Sequence, residues 1–575
     1  MLLSTTLLAW ALQAPATPDA ALAALDHAAL TASMNELATG HPGLVQRVVL
    51  GTSREGREIG ALRIALGDPA GRPAVLVVAN IDGPQTFSSA LALEHARRLC
   101  SDGAVRELLE DTTFWIVPRA NPDGAEARFQ APLMERRNTG FGVDDDRDAR
   151  NGEDAPADVD GDGVIAWMRW RDPEGTLVPD PADERALDEA DRLRGETGGW
   201  RVAREAFDAD GDGEVGEDAP RDADVNRNFP AFFEEHTARA GRFPTDEPEA
   251  RALCDFVLQH PEIALVLCYG ELSNLAAEPK SVADDAPDTK RIPPRGLLES
   301  DAKLVKALGE KYRELVSEPA LDAGLGDDGT FQAWAYDHRG LFVLAARPWA
   351  LPLDAEPPKA DAEPGDAAED AAQAGTADED ADDGKGERKA PERRVSDEAK
   401  RLRWIDAHDQ GERFLAWKAF EHPTLGAVEI GGFAPYADVD PPAQDAARIA
   451  DEHHAFLLAV AANVPRLEFE SVTAREEGSG LLRVKAVLRN TGFLPYATRA
   501  ALRSRTIRPA RVELALPTGA RRLGGPELVL VDELAGSGGR REFEWLVLGA
   551  AASDVRVSFE SDHAGHAEAV PELAR

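Results

Sequence analysis

The chain of 575 residues is too long for one small core, and a prior of roughly 150 residues per domain implies about four units unless a large α/β fold takes up most of it. A formal net charge of −40 argues against nucleic acid or an anionic membrane surface as a partner, and makes divalent cations natural company. Its three cysteines, Cys100, Cys254 and Cys268, have neither metal-type spacing nor a disulfide framework.

Residues 1–16 join an apolar run, Leu2 to Leu12, to Ala14-Pro15-Ala16, a small-x-small cleavage candidate. They are expected to form a signal peptide and to make the protein exported, although no Lys or Arg precedes the run. No later stretch approaches the ~18 consecutive apolar residues of a transmembrane segment. From Asp19 to Leu37, Ala and Leu recur at helical spacing, closed by Gly40-His41-Pro42. Val45 to Leu50 and Ile59 to Leu66 read as strands around the turn Ser53-Arg54-Glu55-Gly56. Ala74 to Ala79 is a short Val-rich run that ends in Asn80-Ile81-Asp82-Gly83-Pro84-Gln85, a buried strand entering a turn. A helix is expected from Ser88 to Arg98, then a strand from Thr113 to Val117, stopped by Pro118 and Asn121-Pro122-Asp123-Gly124.

This alternation predicts an α/β fold: a mixed, mostly parallel sheet with helices on both faces. Ligands in such folds bind outside the carboxyl ends of the strands, so the turn at Asp82 is the first place to look for chemistry. The pattern lapses in an acidic insert, 144–222, and resumes with Val225 to Pro230, a helix from Glu249 to Gln259 and a strand from Ile263 to Leu267. Trp334 to Trp349 reads as a further strand with its approach. Residues 356–400 are Ala, Asp, Glu, Pro and Gly with almost nothing to bury, which predicts a disordered insert. Gly426 to Gly432 is strand-like and Ala446 to Ala461 helical, so the first domain is expected to span 19–465. Leu482 to Leu488 then alternates at period two, and Val512 to Leu516, Leu528 to Val531 and Val555 to Phe559 are similar runs, which predicts a β-sandwich over 466–575.

The acidic insert carries calcium signals. Asp208, Asp210 and Asp212 precede Gly213, with Glu217 close behind; Asp158, Asp160 and Asp162 precede Gly163; Asp144, Asp146 and Asp148 repeat the spacing. Alternate carboxylates before a turning Gly wrap a hard cation in oxygens. None of the three has the Glu of a full EF-hand loop at its twelfth position, where Ala219 and Arg169 fall in the first two named. Calcium is therefore expected as a structural ion.

Taken in order, Gly51 to Arg57, Ile81-Asp82-Gly83, Pro118 to Gly124, Asp224 to Phe229, Glu247-Pro248-Glu249 and Trp334-Ala335-Tyr336 make the chain resemble the zinc carboxypeptidases, carboxypeptidase A/B-like metallopeptidases. The resemblance covers about Asp19 to Pro465 and is nearest to bacterial members with Asp-rich inserts and a C-terminal β-domain. It implies a zinc held by His, Glu and a distant His with one position open for water, and a separate Glu as general base. The positions that match the ligands here carry Asp82, Gln85 and Cys268, and the general-base position carries Arg347. Asp82 and Cys268 are possible ligands, but Gln85 is neutral and Arg347 cannot accept a proton. A guanidinium about 4 Å from the ion would repel each unit of its charge by roughly 4 kcal/mol at an effective dielectric near 20. Arg347 is expected to fill the vacant site and pair with Asp82. Asn226 and Arg227 stand where the family grips a substrate's terminal carboxylate, with a second arginine near Arg136 or Arg137. His260, His422, His453 and His454 are read as structural.

Three readings follow from this. The first is a non-catalytic relative that binds peptide C-termini or another small carboxylate; the second is an active metallocarboxypeptidase with an altered metal site. The third is a calcium-stabilised exported structural or adhesion protein. Oligomeric state has no signature in the sequence.

Overall fold

The computed structural model describes residues 22–137, 155–208, 215, 223–287, 295–317, 328–353, 395–408 and 410–574. The proposed signal peptide lies outside these residues, as do Asp144, Asp146, Asp148, Asp210, Asp212 and Glu217.

Six strands build the central sheet: β1 (Val45–Thr52), β2 (Glu58–Ile64), β3 (Ala74–Ala79), β4 (Thr113–Val117), β5 (Ile263–Tyr269) and β6 (Phe342–Ala346). They lie in the order β1-β2-β4-β3-β5-β6. The pairs from β4 to β6 are parallel, and β1 and β2 add an antiparallel edge. Every residue of β3, β4, β5 and β6 is buried, so side chains pointing to either side are covered, as a parallel sheet with helices on both faces requires. Helices at His27–Gly40, Thr86–Ser101, Pro248–Gln259, Glu299–Leu315 and Ala443–Ala461 supply the cover and share one hydrophobic core with the sheet. Burying a single Leu or Val of such a core is worth about 1.5–3 kcal/mol, which fixes the strand ends on which the site stands.

Most expected elements recur with shifts of a few residues, although the first helix, expected from Asp19, begins at His27. The acidic insert contributes more than the expected calcium-type loops. It holds strands at Trp167–Arg171, Leu177–Asp180, Asp183–Glu189 and Trp200–Arg204, which join Phe414–His422 and Gly426–Phe433 in a second six-stranded sheet. Trp334 does not begin a strand: Phe331–Ala333 and Trp334–His338 are helical, and extended structure starts at Phe342. Residues 356–394 lie outside the described residues. Disorder is corrected at the end of the expected insert, where Asp397–Ala407 is a helix whose N-cap, Ser396, accepts from Ala399 N at 3.2 Å. Its Ala399, Leu402 and Ile405 are buried.

The second sheet owes its cohesion to arginines on aromatic faces as much as to apolar alternation. Arg204 stacks over Trp167 with its guanidinium carbon 4.1 Å from the ring centre, Arg171 over Trp200 at 4.0 Å and Arg169 over Trp417 at 4.4 Å. Beyond Arg466, sheets of five and four strands share their own core around Trp545, Val484 and Phe559, as a sandwich should. Helix Arg499–Ser504 fastens this part to the first, because Asp301 accepts from Arg499 N at 2.7 Å and from Ala500 N at 3.1 Å.

Candidate functional site

Val78, Cys268 and Ala345 occupy one row across β3, β5 and β6. The carboxyl ends of these parallel strands therefore carry Asp82, Cys268 and Arg347 to the same edge of the sheet. The chain leaves β3 through Asn80, held at φ 54°, whose amide donates to the carbonyls of Asp82 (3.1 Å) and Gly83 (2.9 Å). Asn is one of the few residues other than Gly that tolerates this left-handed conformation. Gly83 then passes close to the Pro122 turn. A methyl on it would lie 2.9 Å from Gly124 Cα and closer still to the Arg136 carbonyl oxygen.

The motifs that carry the family resemblance form a clasp around this edge. Asp123, fully buried, accepts from Ser53 Oγ (2.7 Å), Glu55 N (2.8 Å) and Arg57 Nη1 (2.7 Å). Arg54 grips Glu247 with two parallel bonds of 3.0 and 2.9 Å. Glu249 accepts from Arg54 N at 3.1 Å, and burial pushes its carboxyl up to about 7.

At the centre lies Asp82, buried, with both oxygens taken. Oδ1 accepts from Asn226 Nδ2 at 3.1 Å and Oδ2 from Glu271 N at 2.9 Å. Burial pushes this carboxyl up, and the negative charges of Glu271 and Asp224 push it further. Asp224, also buried, accepts from Asn226 N at 3.0 Å and is raised by burial against the pull of Arg137. Arg137 is the cation of the cluster and pairs with Glu271 at 2.5 Å. Burial alone would lower its pKa, but Glu271, Asp224 and Asp82 more than offset that. Sequence reasoning missed the roles of Glu271 and Asp224, which stand in or beside the matched motifs but bear no family ligand.

The other expected site residues fall as follows. Gln85, buried, ends the turn before helix Thr86–Ser101, with its N–H on Asp82 O at 3.0 Å. Cys268 lies within β5 and not beyond it; burial, with the charge of Asp82 added, pushes its thiol up, so it stays protonated. Arg347 does not pair with Asp82. Its Nη2 meets Asp438 Oδ2 at 2.7 Å and Asp438 O at 3.1 Å, because the segment after Phe433 brings a carboxylate nearer than the turn of β3 does. Asn226 is held at both ends, by Asp82 and by Phe331 N at 3.0 Å, whereas the one hydrogen bond of the half-buried Arg227 side chain among the described residues goes to Asp328 O at 3.3 Å. Arg136 pairs with Glu55 at 2.5 Å. His453 and His454 are buried beside His95, and burial lowers both to about 4. They remain neutral core residues.

In the described acidic loop, Asp158 accepts from Gly161 N, Asp162 N and Gly163 N at 2.8–3.1 Å. Asp162 meets Lys418 Nζ at 3.8 Å. Ligand atoms of Asp158, Asp160 and Glu205 lie within 4.8 Å of one another, and Glu205 also accepts from Ala166 N at 2.8 Å and Val159 N at 2.9 Å. Burial raises Glu205 to about 7, with Asp160 and Asp162 adding to it. Among the described residues this is the one such group of three or more His, Cys, Asp or Glu side chains. Asp208 lies at the edge of a gap in the described residues.

The zinc carboxypeptidase family model matches residues 30–161 and 186–348, and a domain of unknown function (DUF8731) matches 466–570. Mouse carboxypeptidase A4 is 34% identical over 95 residues, 16% of this chain and 23% of that protein. A zinc carboxypeptidase of Saccharothrix mutabilis subsp. capreolus is 27% identical over 100 residues, again 16% of this chain and 23% of that protein. The chain thus spans under a quarter of the length of these relatives. The carboxypeptidase A structure from Helicoverpa armigera aligns with a TM-score of 0.38 at 16% identity, over 60% of this chain and 69% of that one. With the family model covering 295 of 575 residues (132 in the first stretch and 163 in the second), the chain belongs to the zinc carboxypeptidase family.

Proposed function

We propose that this protein is a non-catalytic member of the family that binds a carboxylate-terminated ligand, a peptide C-terminus or a smaller acid, through Arg227. Zinc is expected of the family, but the donors at the matching positions do not fit it. Gln85 is neutral, Cys268 lies inside β5 and not in the turn beyond it, and Asp82 is already held by Asn226 Nδ2 and Glu271 N. The observation that carries the reading is Arg347 itself. At the position of the general base stands a permanent cation clamped by Asp438, and a guanidinium cannot take a proton from water. Arg227 supports the binding half of the proposal, since its single side-chain hydrogen bond among the described residues leaves donors for a carboxylate fork. Calorimetric titration with Gly-Gly-Ala should show binding that its C-terminal amide and Arg227→Gln each weaken about tenfold. Equal binding of acid and amide contradicts it.

A structural calcium is the second reading that an observation favours, because Glu205, just past the strand Trp200–Arg204, brings a third carboxylate within 4.8 Å of Asp158 and Asp160. Calcium is expected to raise the melting temperature and a chelator to lower it, with both effects lost in Asp160→Asn. A melting curve indifferent to calcium rules the ion out. Export remains our reading of Leu2 to Ala16; no helix among the described residues is long and apolar enough to cross a membrane.

A further inference from the structure

Between the second sheet and the segment that holds Arg347 lies a cavity of about 390 Å³, near the lower end of the range for small-ligand sites. Its aromatic lining comes from Trp167, Trp417, Phe414 and Phe433. These four residues, and Arg401 with them, lie outside the stretches matched by the family model. Arg204 and Glu135 lie inside those stretches, but none of Asp82, Arg137, Asp224, Arg227 and Glu271 lines the cavity, so it is distinct from the strand-end cluster, although Asp438, which clamps Arg347, also faces it.

The charges around it are equal in number but unequally engaged. The acids are committed: Glu135 accepts from Tyr436 N at 2.5 Å, Glu398 from Leu187 N at 3.2 Å, and Asp438 from Arg347 and Leu351 N. Arg185 is held by Asp183 and Asp406. Two arginines are less well served. Arg204 approaches Glu135 only to 3.7 Å and Arg401 approaches Asp438 only to 3.8 Å, both beyond hydrogen-bond reach. Arg204 Nη1 and Arg401 Nε are buried with no hydrogen-bond partner among the described residues. Burial lowers the pKa of Arg204, which marks a guanidinium whose lost hydration is incompletely replaced. A buried unpaired donor costs roughly 1–3 kcal/mol, and an acceptor arriving with a ligand would recover part of that.

We propose that this cavity is a second binding site, for a free acid carrying one aromatic ring, with the ring among Trp167, Trp417 and Phe433 and the carboxylate on Arg204 and Arg401. A neutral aromatic compound would fill the same walls but leave both guanidiniums unanswered. Binding at this site does not depend on Arg227.

The test uses the full-length chain, with N-acetyl-phenylalanine and its amide as probes. Indole N–H resonances of Trp167 and Trp417, assigned through Phe substitutions, report on the site, and calorimetry gives the affinity. Both resonances should shift on titration with the acid, and the amide should bind about tenfold more weakly. Arg401→Gln, at a partly exposed helix position, and Arg204→Gln should each weaken the acid about fivefold or more as read from the indole shifts, while Arg227→Gln leaves those shifts unchanged. Melting curves establish that each variant is folded; if Arg204→Gln is not, Arg401→Gln decides alone. The proposal is overturned if neither indole shifts, if acid and amide bind alike, or if Arg227→Gln abolishes the indole shifts while Arg401→Gln does not. Loss of Gly-Gly-Ala binding with these indole shifts retained would instead remove the Arg227 reading and leave this one standing.

Discussion

Gly83→Ala is expected to lower folding stability by about 3 kcal/mol, at the upper end of the usual cost of overpacking. The added methyl would meet two backbone neighbours, Gly124 Cα at 2.9 Å and the Arg136 carbonyl oxygen. A crowded side chain can change rotamer, but here two chain segments must separate. These segments bring the Asp82 turn, the Asn121 turn and the Arg136–Arg137 stretch together, so the damage should reach the site. Arg137 would be drawn from Glu271, and the carboxylates around Asp82 would lose their counter-charge. Chemical denaturation compared with the wild type checks the magnitude. A loss under about 1 kcal/mol would show that this approach is less tight than described.

Asp301→Ala is expected to cost a similar amount, about 3 kcal/mol, by a different route. The Asp301 carboxylate is 2% exposed and accepts from Arg499 N, Ala500 N and Tyr336 OH at 2.7, 3.1 and 2.8 Å. Removing it strands two donors at the start of helix Arg499–Ser504, each worth roughly 1–3 kcal/mol when buried and unpaired. That helix seats the C-terminal sandwich on the first domain, where Thr498 Oγ1 also reaches Gly340 O at 2.8 Å. The variant should therefore melt in two steps in calorimetry, the sandwich parting from the α/β sheet. A single unchanged transition would mean that the seat is held elsewhere.

The middle of the central sheet was legible because β3, β5 and β6 are runs of apolar residues, a pattern that a sheet covered on both faces rewards. The turns at Asp82 and Pro122 were legible from Gly and Pro. Of the second sheet only Gly426 to Gly432 was, because Trp167-Met168-Arg169-Trp170-Arg171 and Asp183 to Glu189 do not read as apolar strands. Arginine stacked on tryptophan supplies cohesion there, and periodicity does not register it. Motif order pointed to Asp82, Cys268 and Arg347 but not to the partners that hold them. Arg347 finds Asp438 91 residues away, and the Asp158 loop finds Glu205 across the insert. A carboxylate contributed from that distance leaves no mark in local spacing. Glu271 shows the same limit at shorter range: it lies three residues past Cys268, yet its significance comes from Arg137 and Asp224, which folding brings beside it.

We propose that this chain has lost the family's metal chemistry, and zinc content measured together with peptide hydrolysis on one preparation decides the matter. The full-length protein, equilibrated with zinc and passed through a desalting column, should retain well below one zinc per chain. It should release no C-terminal residue from a panel of aromatic, aliphatic and basic peptides. One zinc per chain, with release of C-terminal residues that a chelator stops, would contradict the account.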